Sequence, residues 1–217
     1  MKKFYPIFGI VAPIFYVFAC LIGGFEMENY SHLYNTVSEL IASNAPKMPF
    51  VQFLFILYNV SLLLFGLGLF QYFEVISGMK MKLMACLIML IGLIGFIILF
   101  FPQDPRGVVM TKAGIIHLIL AILSSLLTMF TMVLSLSKLI KYSSLKAFSI
   151  YTFVSFLFLF VTGGMAAASV ANNSPFGGLY ERLTIGAFLQ WIFILSIELK
   201  KLNKRINSDE TNKFFRI

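Results

Sequence analysis

Six long apolar stretches recur along the chain, and this pattern constrains the fold more than any other feature of the sequence. A helix needs roughly 20 mostly apolar residues to cross about 30 Å of hydrocarbon, and each stretch approaches that length. The predicted helices cover about 5–25, 50–74, 83–101, 112–136, 147–170 and 183–199. Only 12% of the residues are charged, against about a quarter in a soluble domain. We therefore predict an all-α polytopic membrane protein with six transmembrane helices in one bundle.

The distribution of Lys and Arg predicts the orientation of this bundle. In membrane proteins these residues are more frequent in the short loops on the cytoplasmic side. One set of alternate loops holds only four of the 17 basic residues, and the other thirteen lie in the opposite loops and at the chain ends. The four are Lys47, Arg106, Lys112 and Arg182. We expect both termini to be cytoplasmic, with a transmembrane domain over 1–200 and a basic cytoplasmic tail over 201–217.

The net charge of +8 follows from this topology and from attraction to anionic lipids of the inner leaflet. It therefore gives no reason to expect a nucleic-acid partner. The expected partners are membrane lipids, and a protein partner or a second copy of the chain is left open. The two histidines and the scattered carboxylates lack the regular spacing of metal ligands. The sequence also lacks a phosphate-binding loop and a dinucleotide-binding loop. It therefore indicates no metal and no cofactor.

The three outer segments bring many polar residues to one end of the predicted bundle. These segments, about 26–49, 102–111 and 171–182, contain five of the nine Asp and Glu residues. Because the ends of six bundled helices meet at one mouth, we expect their polar side chains to share one outward-facing pocket. The candidate ligand-binding residues are Glu39, Asp104, Arg106, His117, Glu181 and Arg182.

Asp104 lies between two prolines, which predict the end of the third helix and the corner before the fourth. His117 then lies about 9 Å along the fourth helix, where a charged ring would need a partner. In a structural interpretation, Asp104 caps a helix or pairs with Arg106, and His117 bonds to a carbonyl. In a functional interpretation, His117 is a base or a ligand oriented by a carboxylate, for which Asp104 and Glu181 are the candidates.

Thr36 and Glu39 have the spacing of a capping box, in which the Thr oxygen accepts an N–H and the Glu carboxylate bonds back. This pattern predicts a short helix on the outer face. The functional alternative makes Ser38 or Glu39 part of the pocket. A serine nucleophile needs a base within reach, and the chain offers only His32 and His117. We expect His32, in a polar loop, to be solvated.

Two adjacent glycines, Gly177 and Gly178, predict a tight turn before the sixth helix. We expect Glu181 in the first turn of that helix, where a negative charge favours the helix dipole. Arg182 follows near the membrane interface. There it either extends its charged end to the headgroup region or binds a phosphate through two parallel hydrogen bonds.

Four short motifs in order, "SEL" (38–40), "FPQD" (101–104), "HL" (117–118) and "LYERL" (179–183), carry a family resemblance. In this order, on six helices, they resemble domain-of-unknown-function family 998 of bacterial and archaeal membrane proteins, over roughly 5–200. The resemblance implies a six-helix fold but no established activity. It also implies the positions of interest, which are Ser38, Glu39, Asp104, His117, Glu181 and Arg182.

Three hypotheses about function follow. The first is an outward-facing pocket that binds or handles a lipid headgroup or a small polar ligand, with Arg106 and Arg182 as anion contacts. The second is an accessory or structural membrane subunit without a ligand. The third is an intramembrane lipid hydrolase or transferase, in which His117, oriented by Asp104 or Glu181, activates Ser38 or water. For all three we expect a multi-pass protein of the bacterial cytoplasmic membrane.

Overall fold

The computed structural model describes residues 5–75, 81–105, 107–139, 145–172 and 174–206. Within these ranges the chain forms six α-helices and one short 3₁₀ helix, and it contains no strand. The helices are α1 (Tyr5–Glu26), the 3₁₀ helix (Ser38–Ile41), α2 (Pro49–Val75), α3 (Lys82–Ile98), α4 (Lys112–Leu139), α5 (Lys146–Ala171) and α6 (Gly177–Ile206). The predicted all-α, six-helix class is confirmed.

Five of these helices, all except α3, are long and apolar enough to cross a membrane. The chain is therefore a multi-pass membrane protein. With 17 residues, α3 is about 25 Å long at 1.5 Å per residue, and it ends at Ile98 rather than near 101. Leu99, Phe100 and Phe101 continue it as a tighter turn, in which each N–H bonds to the carbonyl three residues earlier. This turn leads into Pro102, which cannot donate such a bond.

The last helix is longer at both ends than the predicted 183–199. Hydropathy reports only the part of a helix that is apolar enough for hydrocarbon. The polar first turns from Gly177 and the basic last turns to Ile206 are helical as well. Glu181 and Arg182 therefore lie in the second turn of α6. Residues 207–217 of the predicted tail lie outside the described part of the chain.

The helices pack in chain order, each against the next, and α1 also packs against α6, which closes the bundle. The core is centred on large side chains with almost no exposed surface, among them Trp191, Phe65 and Met84. Hydrogen bonds join α5 to α6: the Trp191 indole donates to the Thr152 hydroxyl at 3.0 Å, and the Thr184 hydroxyl donates to that of Thr162 at 3.1 Å. Hydrogen bonds of this kind stabilise helix pairs in a membrane, where no water is available to bond to these side chains.

Candidate functional site

Arg182 fastens the connection between α1 and α2 (residues 27–48, called the α1–α2 connection) to α6. Its Nη1 atom donates to the carbonyl oxygens of His32 and Asn35, at 2.9 and 2.6 Å. The same atom donates to the Gly178 carbonyl at 3.0 Å. Its Nη2 atom donates to the Tyr30 hydroxyl, and the Tyr30 ring centre lies 5.5 Å from the guanidinium carbon. One guanidinium thus binds three carbonyl groups and a phenol.

Glu181 holds the same connection from the neighbouring position on α6. The Val37 N–H donates to Oε2 at 2.6 Å, and the Ser38 hydroxyl donates to Oε1 at 3.4 Å. A backbone bond from Leu179 N–H to the Leu33 carbonyl, at 2.9 Å, reinforces the contact. The expectation that Glu181 lies in the first turn of its helix is wrong, because α6 begins at Gly177. Its carboxylate instead accepts the Val37 N–H and the Ser38 hydroxyl at the start of the 3₁₀ helix.

Glu39 is buried and bonds within the α1–α2 connection. Its Oε1 atom accepts the Thr36 N–H at 3.1 Å, and its Oε2 atom accepts the Asn35 side-chain amide at 2.6 Å. The short helix and the bond from Glu39 back to Thr36 were both predicted, and both are confirmed. The second half of the capping box is absent here. The Glu39 N–H bonds to the Thr36 carbonyl, and the Thr36 hydroxyl donates to the Glu39 carboxylate.

A groove of about 290 Å³ lies between α1 and α6, directly beside this cluster. It is apolar except at one end, where Arg182 and His32 border it. The apolar lining comprises Tyr16, Val17, Cys20 and Leu21 of α1, and Ile185, Gly186 and Leu189 of α6.

Away from the groove, α1 packs tightly on α6 at Gly9. There a side chain on Gly9 would overlap the Ser196 hydroxyl and the Phe65 ring, so the two backbones approach closely. Pro13 follows one turn later and lies inside α1. Proline cannot donate the helical hydrogen bond to the carbonyl four residues earlier, so it loosens the helix between the tight contact and the groove.

Burial and the nearby Arg182 change the pKa values of two residues in the α1–α2 connection, His32 and Tyr30. Burial and the nearby Arg182 guanidinium lower the pKa of His32 below its usual value, so the imidazole is neutral near neutral pH. Burial raises the pKa of Tyr30 above its usual value, although Arg182 opposes this. The Tyr30 phenol therefore stays protonated, in agreement with its donated bond to the Thr36 carbonyl at 2.7 Å.

Asp104 organises the start of α4, which agrees with the structural interpretation of this residue. The Thr111 N–H donates to Oδ2 at 2.6 Å, and the Thr111 hydroxyl donates to Oδ1 at 2.9 Å. The same hydroxyl oxygen accepts the Gly114 N–H at 3.2 Å, as a helix cap does. Arg106, the other expected partner, lies outside the described residues.

His117 is buried, with 4% of its surface exposed. Its Nδ1 atom lies 2.7 Å from the carbonyl oxygen of Phe101. Because a carbonyl only accepts, Nδ1 carries a proton and donates it. Within the described residues no carboxylate bonds to this ring, so the expected pairing with Asp104 or Glu181 is not formed. The turn that follows α3 places the Phe101 carbonyl against the ring instead.

Replacing His117 with alanine should lower the stability of the protein by about 2 kcal/mol, because it removes this bond and leaves a cavity. The melting temperature in detergent should then fall by roughly 5 °C. The control is Ile119→Ala on the same helix, at a side chain that is 57% exposed. This control should change the melting temperature little. Equal shifts for both variants would contradict a structural role for the His117 bond.

In the described part of the chain, the hydrogen bonds of the candidate residues form two groups. Ser38, Glu39, Glu181 and Arg182 lie together where the α1–α2 connection meets α6. Asp104 lies in the α3–α4 connection (residues 99–111) and bonds to Thr111, and His117 on α4 bonds to the Phe101 carbonyl of that connection. A backbone bond from Ser43 to Gln103, at 2.9 Å, links the two connections. Among the described side chains, no hydrogen bond joins the two sets of candidates.

Sequence reasoning missed Tyr30 at this site, and it considered His32 only as a base or a solvated loop residue. His32 is exposed, as expected of a loop residue, but it also borders the groove. Tyr30 both accepts from Arg182 and donates to Thr36. No local pattern indicates either role, because their partners lie about 150 positions away on α6.

Comparison with known proteins identifies the family of the chain. No curated protein and no solved structure matches it. A family described as "Protein of unknown function (DUF998)" matches residues 10–198, which is most of the chain. This match agrees with the ordered motifs and with the six helices. The chain therefore belongs to the DUF998 family of proteins of unknown function.

Proposed function

We propose that this protein binds a membrane lipid in the groove between α1 and α6, with the acyl chain along the apolar lining and the headgroup beside Arg182. The observation that carries the proposal is the composition of the groove. Seven of its nine lining residues are apolar, and the two polar residues are together at one end. A groove of this kind suits an amphiphile better than a small polar solute, which would leave the apolar walls in contact with water.

The charge at the end of the groove favours an anionic headgroup. Arg182 is permanently protonated, and its Nε atom is buried without a hydrogen-bond partner. Buried donors without partners are uncommon in folded proteins, and a bound anion would supply the acceptor that this N–H lacks. The acceptors that bond directly to the Arg182 guanidinium are three carbonyl groups and the Tyr30 hydroxyl, all of them neutral, and the Glu181 carboxylate acts on its charge from nearby.

In this proposal the groove lies in the membrane leaflet on the side opposite the two chain ends. With both termini cytoplasmic, as the distribution of Lys and Arg predicts, the α1–α2 connection and Arg182 lie on the outer face of a bacterial cytoplasmic membrane. The lipid would then come from the outer leaflet.

The alternative of a lipid hydrolase or transferase has less support. Its serine and its base would have to contact each other. The Ser38 hydroxyl bonds to Glu181, whereas the His117 ring bonds to the Phe101 carbonyl. The remaining alternative, an accessory subunit without a ligand, is distinguished from lipid binding by the following experiment.

Filling the groove should displace the lipid without disturbing the polar cluster. Gly186 lines the groove, and a Cβ added there meets no atom within 4 Å. Gly186→Phe should therefore place its ring in open space. We expect native mass spectrometry of the protein in mild detergent with phosphatidylglycerol to show one retained lipid on the wild type. This lipid should decrease at least about tenfold in the variant, which corresponds to about 1.4 kcal/mol of binding free energy.

Gly164→Phe is the matched control for this experiment. Gly164 also has no atom within 4 Å of an added Cβ, but it lies on the exposed surface of α5 and not in the groove. It should retain the lipid like the wild type. If all three proteins retain the same amount of lipid, or if the wild type retains none, the groove is not a lipid site and the accessory alternative is favoured.

A further inference from the structure

We infer that His32 and Arg182 together select an anionic phosphate headgroup, and that His32 takes up a proton when this headgroup binds. This inference rests on the proposed lipid site and adds two properties to it. The first is a preference for lipids with a net negative headgroup. The second is an affinity that increases as the pH falls.

His32 lies where a headgroup would be bound. Its ring borders the groove, and it packs so closely on α1 that a Cβ on Gly24 would lie 2.7 Å from its Nε2 atom. The Tyr30 ring meets it edge-on, with 5.3 Å between the ring centres. In the described part of the chain no group hydrogen-bonds to either ring nitrogen of His32. The ring is therefore held in place by packing while its nitrogens remain free to bond to a ligand.

Arg182 presents a suitable second contact. A guanidinium has five N–H groups, and those on Nε and Nη2 share one edge that matches two oxygens of a phosphate. The Nε–H has no partner, and the protein bonds to Nη2 only through the Tyr30 hydroxyl. A phosphate on this edge would replace no carbonyl bond of Nη1. The headgroup can therefore bind while the α1–α2 connection stays attached to α6.

The charges around His32 explain the proton uptake. Burial and, as the second cause, repulsion from the Arg182 guanidinium lower the pKa of His32 in the free protein. The other ionisable groups nearby are the neutral Tyr30 phenol, the Cys20 thiol across the groove, and Glu181, which already accepts bonds from Val37 and Ser38. An anion beside both cations offsets the repulsion and raises the pKa of His32. Binding therefore stabilises the protonated ring.

This linkage fixes the direction of the pH dependence. Above the pKa of lipid-bound His32 the imidazole is neutral in both states, and the affinity is constant. As the pH falls below that value, the bound state takes up a proton and the affinity rises, until the free protein is protonated as well. The total increase is about tenfold for each unit by which the lipid raises the pKa.

The test compares a phospholipid that has a net negative headgroup with one whose headgroup is zwitterionic. Phosphatidylglycerol and phosphatidylcholine with the same acyl chains are titrated into the protein in neutral detergent, from about pH 8 to about pH 5, which spans the titration of an imidazole. Binding is measured as the lipid-induced rise in melting temperature. We expect phosphatidylglycerol to bind more tightly at every pH, and its affinity to increase about tenfold or more over this range.

Two variants assign the effect to His32. His32→Gln keeps a hydrogen-bonding side chain without a titrating charge, so it should bind phosphatidylglycerol weakly and with little pH dependence. His32→Lys carries a positive charge throughout this range, so it should bind tightly with little pH dependence. Because His32 is an exposed loop residue, both variants should fold, and their melting temperatures without lipid provide the check.

The outcomes separate this inference from the proposed function. If a lipid binds and Gly186→Phe displaces it, but the two headgroups bind equally or His32→Gln keeps the pH dependence, the inference is wrong and the lipid site stands. If neither lipid binds to the wild type, both the lipid site and the inference are wrong. A preference for phosphatidylglycerol that grows at low pH and is abolished in His32→Gln supports both.

Discussion

Replacing Arg182 with alanine is expected to lower the melting temperature of the detergent-solubilised protein by roughly 10 °C. The substitution removes the donors that hold three carbonyl groups and the Tyr30 hydroxyl. Hydrogen bonds to a charged group contribute about 1.5–3 kcal/mol each, although not additively. The Glu181 carboxylate would also lose the positive charge that acts on it. We therefore expect a loss of about 3 kcal/mol, measured through the fluorescence of Trp191.

A surface charge provides the control for this prediction. Lys201 forms an ion pair with Glu198 at 2.7 Å, and its side chain is 58% exposed. Exposed pairs of this kind contribute about 0–1 kcal/mol, so Lys201→Ala should change the melting temperature little. Arg182→Lys should recover only part of the loss, because an ammonium cannot reproduce the planar set of donors. If Arg182→Ala melts like Lys201→Ala, the guanidinium does not hold the α1–α2 connection.

Replacing Gly178 with alanine should be comparably damaging, although alanine favours a helix over glycine by about 1 kcal/mol. A Cβ on Gly178 would overlap the Asn35 carbonyl oxygen and lie 2.8 Å from its carbon atom. Backbone atoms cannot move aside as a flexible side chain can. The α1–α2 connection would shift, and the bond from Leu179 N–H to the Leu33 carbonyl would be strained. We expect a loss of about 2–3 kcal/mol and a melting temperature lower by roughly 5–10 °C.

Gly164→Ala is the matched control, since a Cβ at Gly164 meets nothing within 4 Å. It lies in the middle of α5 and should leave the melting temperature unchanged or raise it slightly. Gly178→Ala should in addition weaken lipid retention, because the displaced connection carries His32 to the groove. A Gly178→Ala protein as stable as Gly164→Ala would show that the connection does not pack on α6 as closely as described.

Some local features of the candidate site could be predicted because their partners are close in sequence. The bond from Glu39 to Thr36 spans three positions and follows from a recognised capping pattern. The corner at Asp104 follows from the prolines around it. By contrast, the partners of Glu181 and Arg182 lie about 140–150 positions away. No sequence pattern specifies which carbonyl or hydroxyl group a distant side chain will meet.

The sequence by itself determined that this is an all-α membrane protein with six helices. Hydrocarbon contains no water to bond to backbone groups, so an apolar stretch of this length has to form a helix. The same reasoning located most helix boundaries to within a few residues. It failed at both ends of α6, where the helix continues through polar turns outside the apolar window.

Only the tertiary structure decided how the polar residues are divided. The sequence predicts one shared pocket, but it does not indicate which partner each polar side chain has. In the folded chain the α1–α2 connection fills the space beside α6, so Arg182 and Glu181 bond to it, whereas His117 bonds to the turn after α3. The groove likewise depends on where α1 touches α6. The hydrogen-bond partners and the groove both depend on how closely helices far apart in sequence pack. These packing distances depend on side-chain volumes, which hydropathy does not record.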